Sequence, residues 1–172
     1  MNRSKPMDLS DFQLCGINFR KTDALVRSSF AISGNQYELI LATAPDYGIQ
    51  HIFILSTCNR TEVYGFAEDQ DQLSALLCSQ TEGSVELFTR LAYRKRGRQA
   101  VEHFFRVAAG LDSQILGDYE IIGQIKQAIK ASKLHGRLGG FAERLFNNAL
   151  QASRSLAASS VRLNTVISRV PR

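Results

Sequence analysis

The chain has 172 residues, of which 44% are hydrophobic and 22% are charged, and this composition excludes a disordered polypeptide. No apolar stretch approaches the roughly 18 residues that a membrane span needs, and the first residues lack the apolar core of a signal peptide. Its three irregularly spaced cysteines form no disulfide framework and no zinc motif. The expectation is a soluble cytoplasmic protein without a metal.

Basic residues give the chain a net charge of +5 and are unevenly distributed. One cluster is the segment RKRGR at residues 94–98, and residues 136–172 hold six arginines against a single acid, Glu143. Surfaces of this kind favour phosphate backbones. A solvated helical face explains either cluster equally well, so both interpretations stay open.

The first half of the chain alternates between strand and helix patterns. Runs of β-branched and aromatic residues predict four strands, at residues 12–17, 51–55, 61–66 and at the end of 87–93. Helical patterns lie between them at residues 23–30, 35–43 and 69–79. Ser33 is the expected N-cap of the second helix, and Pro45 is expected to end it.

The second half of the chain is helical in pattern, with helices predicted at residues 97–111, 118–134 and from 141 onward. The order β-α-β-β-α-β followed by helices predicts an α+β fold, namely a small split-βαβ (ferredoxin-like) antiparallel sheet with a helical extension. We divide the chain into an α/β subdomain at 1–95, a helical part at 96–152 and a Ser-, Ala- and Arg-rich linker or helix at 153–172.

Cys58 is the strongest candidate for chemistry. It lies in the polar turn Ser-Thr-Cys-Asn-Arg directly after a predicted buried strand, where a side chain is held firmly yet stays accessible. Arg60 is near enough either to stabilise a thiolate or to bind a carboxylate through two hydrogen bonds. The unreactive alternative is a small buried cysteine among polar capping groups, which is how we interpret Cys15 and Cys78 as packing residues.

Two other kinds of cysteine site, a phosphatase loop and a papain-like cysteine–histidine pair, need further residues at particular positions. A phosphatase loop needs an arginine at a fixed distance after its cysteine, where this chain has Tyr64. A papain-like pair with His51, His103 or His135 stays open, because spacing in the sequence does not show which histidine lies near Cys58.

His103 and the segment that follows it form a second candidate region. On a helical wheel His103 points away from the predicted apolar arc, so we expect it to face solvent or a cleft. Residues 110–126 bracket a helix start with glycines and small polar side chains. Asp118 is placed to cap this helix, whose free amides favour an anion, and Gln124 borders its apolar arc. A well-capped helix without a functional role explains the same pattern.

Three blocks of the sequence resemble the glutamyl-tRNA reductase family. They are residues 56–64 (STCNRTEVY), residues 103–113 with 117–126 (HFFRVAAGLDS and GDYEIIGQIK), and the shorter GIN and RKT at residues 16–18 and 20–22. The blocks follow the order and spacing of the family over roughly residues 12–154. The sequence is therefore identified as similar to the N-terminal catalytic domain of that family.

The resemblance implies a specific reaction. In that family a cysteine thiolate attacks the ester that joins glutamate to tRNA, and NADPH reduces the resulting thioester to glutamate-1-semialdehyde, a tetrapyrrole precursor. It implies that Cys58 is the nucleophile and that His103 is a second catalytic residue. The substrate-binding positions it implies are Thr57, Asn59, Arg60, Ser113, Asp118, Tyr119, Glu120 and Gln124. For Arg60 we favour carboxylate recognition, because a planar guanidinium matches a carboxylate.

No GxGxxG motif follows a predicted strand, so no residue of this chain is expected to bind NADPH. We interpret the sequence as a fragment of an NADPH-dependent enzyme that is able to transfer the acyl group but not to complete the reduction. Its expected partner is glutamyl-tRNA. The full-length protein is expected to be a homodimer, and the fragment a monomer or weak dimer. The alternatives are a non-catalytic basic tRNA-binding module and an unrelated cysteine hydrolase.

Overall fold

A single antiparallel sheet lies at the centre of the computed structural model, which describes residues 8–115 and 120–167, with side chains up to residue 155. Its strands are β1 (Phe12–Asn18), β2 (Ile52–Ser56), β3 (Arg60–Phe66) and β4 (Tyr93–Arg96), in the spatial order β2-β3-β1-β4. All three pairings are antiparallel. The predicted α+β fold with a split-βαβ sheet is confirmed.

Four helices cover one face of the sheet: α1 (Ala24–Ser29), α2 (Gly34–Thr43), α3 (Gln70–Cys78) and α4 (Val85–Leu91). Ser33 caps α2 as predicted, in a capping box with Gln36. Pro45 lies in a short 3-10 turn, Ala44–Tyr47, that follows the end of α2. The fourth strand was predicted at the end of residues 87–93, but most of this stretch belongs to α4, and β4 begins only at Tyr93.

Three helices lie on the opposite face: α5 (Arg98–Ala108), α6 (Glu120–Leu134) and α7 (Gly140–Ile167). The core between them and the sheet is aromatic. The rings of Phe53 and Tyr64 stack at 4.7 Å, and the edge of Phe104 meets both at 5.4 Å. In the described part of the chain no helix combines the length and the apolar character that crossing a membrane would require.

Candidate active site

Cys58 lies at the tip of the turn that joins β2 to β3. The backbone of this turn is fixed by three hydrogen bonds: Thr57 N–H donates to the carbonyl of Arg60 (2.8 Å), Asn59 N–H to Thr57 Oγ1 (3.1 Å), and Phe19 N–H to the carbonyl of Asn59 (2.9 Å). The Cys58 side chain is exposed. A rigid turn therefore presents an accessible thiol, as the sequence predicts.

Arg27 of α1 also stabilises this turn, through hydrogen bonds from its side chain. Its Nε donates to the carbonyl of Cys58 (3.1 Å), and its Nη1 donates to the carbonyl of Thr22. The role of Arg27 was not predicted from the sequence, because the contact depends on how α1 packs beside a turn that lies 31 positions further along the chain.

Most of the predicted site residues meet at one cavity, of about 50 Å³, beside the turn. Seven of them line it: Thr57, Cys58, Asn59, Arg60, Ser113, Glu120 and Gln124. They come from the β2–β3 turn, from the segment after α5 and from the first turns of α6. Ile121 supplies the apolar part of the wall. Asp118 and Tyr119 lie outside the described residues, and their proposed contacts stay predictions.

Arg60 is anchored beneath this cavity by two carboxylates. Only 2% of the residue is exposed, and its Nη1 donates to Glu62 Oε1 and Asp112 Oδ2, both at 3.0 Å. Its Nη2 donates to the backbone carbonyl of Asp112. Burial lowers the pKa of Arg60, but Glu62, Tyr93, Tyr64 and Asp112 together outweigh burial and raise the pKa above its ordinary value. Arg60 is therefore a fixed cation.

The contacts of Arg60 leave part of its guanidinium for a ligand. A guanidinium has five N–H donors, and the bonds to Glu62 and Asp112 use both hydrogens of Nη1 and one of Nη2. Within the described residues, the Nε–H and the second Nη2–H have no partner. These two donors lie along one edge of the fork, which is the geometry that a carboxylate accepts.

Glu62 is the centre of a buried polar cluster. It is fully buried and accepts hydrogen bonds from Arg60 Nη1 (3.0 Å), Tyr64 Oη (2.7 Å), His103 Nε2 (2.6 Å) and Tyr93 Oη. Burial raises the pKa of Glu62, but the His103 hydrogen bond and the Arg60 charge outweigh it, and the pKa falls to about 2. Glu62 is ionised and holds both Arg60 and His103 in place.

The register of the sheet explains how this cluster assembles. Arg60, Glu62 and Tyr64 alternate along β3, so their side chains share one face. Gly16 of β1 stands opposite Glu62 on one side and opposite Tyr93 on the other. A Cβ on Gly16 would lie 2.7 Å from Glu62 Cγ. The missing side chain therefore lets the Glu62 carboxylate reach across β1 to Tyr93.

The supporting roles of Glu62, Tyr64, Tyr93 and Asp112 were not predicted from the sequence. A signal for two of them was present, since a strand in which polar residues recur at every second position has a polar face. The Arg60–Asp112 contact spans 52 positions, and the register that brings Tyr93 to Glu62 follows from strand order.

Of the two surfaces predicted for His103, solvent is wrong and a cleft is what the structure shows, although the helical wheel placed the residue too far from the buried face of α5. The buried side of α5 consists of Ala100, His103, Phe104, Val107 and Ala108, so His103 lies at an edge of the buried face instead of opposite it. The physical reason is that α5 packs against β1, β4, α6 and α7, which cover more of its circumference than one apolar arc. His103 also lines a cavity next to that of Cys58.

The remaining histidines and cysteines lie elsewhere. His51 is packed against Gly139 just before α7, His135 follows α6, and neither lines the cavity of Cys58. Cys15 and Cys78 are buried, and burial raises the pKa of their thiols to about 12 and about 11. The interpretation of Cys15 and Cys78 as packing residues is confirmed.

Known proteins resemble this chain over most of its length. The glutamyl-tRNA reductase of Christiangramia forsetii is 46% identical over 145 residues, which are 84% of this chain and 35% of the relative. That of Aquifex aeolicus is 32% identical over 165 residues, 94% of this chain and 39% of the relative. This chain thus spans about a third of the length of these relatives.

A solved structure and a family model agree with these relatives. The structure titled glutamyl-tRNA reductase from Methanopyrus kandleri superposes with a TM-score of 0.72 at 26% identity, over 87% of this chain and 35% of that one. The model of the family described as "Glutamyl-tRNAGlu reductase, N-terminal domain" matches residues 15–160. The chain therefore belongs to the family of glutamyl-tRNA reductase N-terminal domains.

Proposed function

We propose that this domain transfers the glutamyl group of glutamyl-tRNA to Cys58 as a thioester. The observation that carries the proposal is that six other residues, predicted as site residues from separate parts of the sequence, line one cavity with Cys58, whose thiol is exposed. An aminoacyl ester is already activated, so an oriented nucleophile and a few hydrogen-bond donors suffice for its transfer.

The proposed step exchanges one acyl bond for another. Cys58 loses its proton, its Sγ bonds to the glutamyl carbonyl carbon, and the bond from that carbon to the ribose oxygen of the tRNA breaks. The departing oxygen takes up a proton. The remaining donors of Arg60 bind the side-chain carboxylate of the glutamyl group, and Glu62 and Asp112 hold Arg60 in position for this contact.

His103 is the second proposed catalytic residue. Because Glu62 is ionised, the 2.6 Å contact assigns the hydrogen on Nε2 to the bond between them. The other nitrogen, Nδ1, is then the one that exchanges a proton, and we assign to it the proton that the departing ribose oxygen receives.

We assign no residue of this chain to the second step, the reduction of the thioester. NADPH supplies hydride in the reaction that the family resemblance implies. A dinucleotide site is built on a parallel strand–turn–helix unit with a glycine-rich turn, whereas the strands of the described residues are all antiparallel. We also propose that the whole enzyme forms glutamate-1-semialdehyde for tetrapyrroles, that it is a homodimer and that it is cytoplasmic.

The division of the chain is proposed on the same grounds. Residues 1–95 carry the nucleophile, and residues 96–152 complete its cavity through Ser113, Glu120 and Gln124. The helix α7 continues to Ile167, so we propose that residues 153–167 form a helical linker instead of an irregular one.

A purely basic tRNA-binding module is the competing proposal, and the segment at residues 94–98 gives it little support. Arg94 Nη2 lies 2.7 Å from Asp71, Arg96 Nη2 lies 3.6 Å from Asp11, and Arg98 Nε lies 2.7 Å from Glu102. Three of the four cations in this segment are thus paired within the chain.

Intact mass spectrometry after mixing the protein with glutamyl-tRNA tests the proposal. The wild type and the matched thiol variant Cys78→Ala should both gain a glutamyl group, and Cys58→Ser should not gain a thioester. A parallel reaction with glutamyl-adenosine shows whether the domain acts on the ester without the body of the tRNA. Tight tRNA binding with no adduct from either substrate would contradict acyl transfer and favour the binding module.

A further inference from the structure

We propose that a second cavity, between β4 and α5, binds a phosphate group in the 3′ acceptor end of the RNA. This basic cavity has a volume of about 490 Å³, and its cationic lining residues are Lys21, Lys95 and Arg106. The proposal rests on the proposed function, because it takes the substrate to be an RNA whose 3′ end reaches Cys58.

The acids in the wall of the basic cavity already have partners. Glu102 is paired with Arg98 at 2.7 Å, and Asp112 is paired with Arg60 at 3.0 Å and with Arg20 at 3.4 Å. None of these three arginines lines the cavity. The charges of Glu102 and Asp112 are therefore compensated from outside the basic cavity.

The cations in the same wall have no such compensation. Among the described residues, Lys21, Lys95 and Arg106 form no ion pair. Lys95 is the one member of the basic segment at residues 94–98 that faces this cavity, while its neighbours are paired elsewhere. The result is a concave surface with a net positive charge, which attracts an anion.

The polar groups around these cations suit the oxygen atoms of a phosphate. Gln99 and Arg106 lie two helical turns apart on the same face of α5, and both bring N–H donors to the cavity. Asn18 also lines the cavity, and its side-chain amide is a further donor. Lysines act as point charges for phosphate, and arginine supplies a fork of donors.

The position of the basic cavity points to the substrate RNA as the source of the phosphate. Arg60 lines the cavity of Cys58, Asp112 lines the basic cavity, and the two side chains bond to each other at 3.0 Å. A single ion pair thus separates the two cavities. An RNA whose terminal ester lies at Cys58 carries its nearest phosphates only a short distance further along the strand.

Fluorescence anisotropy with a labelled RNA hairpin that ends in an unpaired CCA tests the proposal over a range of KCl concentrations. We expect Lys95→Gln and Arg106→Gln each to weaken binding about five- to tenfold at low salt and to reduce the slope of log K against log salt by about 1. The matched control is Arg90→Gln, an exposed arginine of α4 on the opposite face of the sheet, which should change binding less than about twofold. Equal losses in the cavity and control variants, or unchanged slopes, would overturn the proposal.

Inorganic phosphate distinguishes the RNA from a free ligand. If the site belongs to the RNA, inorganic phosphate at about 1 mM should leave the wild-type affinity for the hairpin unchanged relative to matched chloride. Displacement of the hairpin from the wild type but not from Lys95→Gln would assign the basic cavity to free phosphate and overturn its assignment to the acceptor end.

Glutamyl-adenosine, which carries no phosphate, separates this proposal from the function of Cys58. Lys95→Gln should form the Cys58 adduct from it at the wild-type rate. A slower adduct from this phosphate-free ester would show that Lys95 serves the chemistry and would contradict a phosphate site. If the wild type itself forms no adduct, acyl transfer fails, while the hairpin measurements still decide the question of the basic cavity.

Discussion

The two faces of the sheet share the same four strands but bury different kinds of residue. The face toward α1–α4 has an almost wholly apolar core, in which Cys15 and Ile17 are fully buried. The face toward α5–α7 has an aromatic core at one end and, at the end near Cys58, the buried charges of Arg60 and Glu62. Alternation of side chains along β1, β2 and β3 separates the two environments.

The difference between the faces indicates how the domain divides stability from function. Apolar burial stabilises the α1–α4 face without requiring hydrogen-bond or ion-pair partners, because the hydrophobic effect is non-directional. Buried charges are costly to desolvate and gain little net stability even when paired, so the cluster around Glu62 is explained by the side chains that it positions. Substitutions on the α1–α4 face should therefore change only the free energy of unfolding. Substitutions at the polar end of the α5–α7 face should change acyl transfer as well.

The largest effect is expected from Glu62→Gln. Loss of this carboxylate leaves Arg60 with one charged partner fewer in a buried site, which should lower the free energy of unfolding by about 3–5 kcal/mol and abolish the Cys58 adduct. Urea unfolding at pH 7 measures the first effect. Glu86→Gln, on exposed α4, should stay within about 0.5 kcal/mol of the wild type. Equal stability of the two variants would mean that Glu62 compensates no buried charge.

Acid should weaken the same cluster. The pKa of Glu62 is lowered from its ordinary 4.5 to about 2 in the folded state, so its contribution is fully present above about pH 4.5 and is lost as the pH falls toward 2. The wild type should lose about 3 kcal/mol more than Glu62→Gln between pH 5 and pH 2. Parallel stability curves for the two proteins, from urea unfolding at each pH, would argue against an ionised Glu62.

A smaller effect is expected where the strands leave room for Glu62. In Gly16→Ala the new methyl group would lie 2.7 Å from Glu62 Cγ and 2.9 Å from the carbonyl of Thr61, which should cost about 1–3 kcal/mol and slow adduct formation. Gly34→Ala in α2 is the matched control, since nothing lies within 4 Å of its added methyl. Thermal unfolding in which both variants behave alike would remove the proposed role of Gly16.

The smallest change in stability is expected when Cys15 and Cys58 are each replaced by serine. Cys15→Ser places a hydroxyl in the apolar core and should lower stability by about 1–2 kcal/mol, with Ser74 Oγ, now 3.6 Å from the sulfur, as its nearest partner. Cys58→Ser alters an exposed turn and should stay within about 0.5 kcal/mol. Chemical denaturation together with the adduct assay should give opposite outcomes for the two variants. A stability loss at Cys58 that matches the loss at Cys15 would contradict the division between the faces.

Local patterns were sufficient to predict most of the fold. Runs of β-branched and aromatic residues located β1, β2 and β3 to within a residue or two, and the Ser33 cap located α2. The boundary between α4 and β4 was less certain, because residues 87–93 suit either state and their tertiary contacts decide between them.

The candidate site was predictable in its residues but not in its electrostatics. Turn chemistry and the family resemblance identified Cys58 and the residues around it, whereas the partners of Arg60 depend on strand register and on a loop that is distant in sequence. The cleft position of His103 was one of two predicted alternatives, and its burial was not predicted, because a helical wheel considers one helix alone and α5 has neighbours on several sides.

The strand β4 has a consequence for solubility. It forms one edge of the sheet, and an exposed edge is a template on which other chains can add strands and aggregate. Here the edge is only four residues long, and three of them, Arg94, Lys95 and Arg96, are cationic. A short edge whose side chains are charged is a poor template for a second strand, so the basic segment also protects the domain from edge-to-edge association.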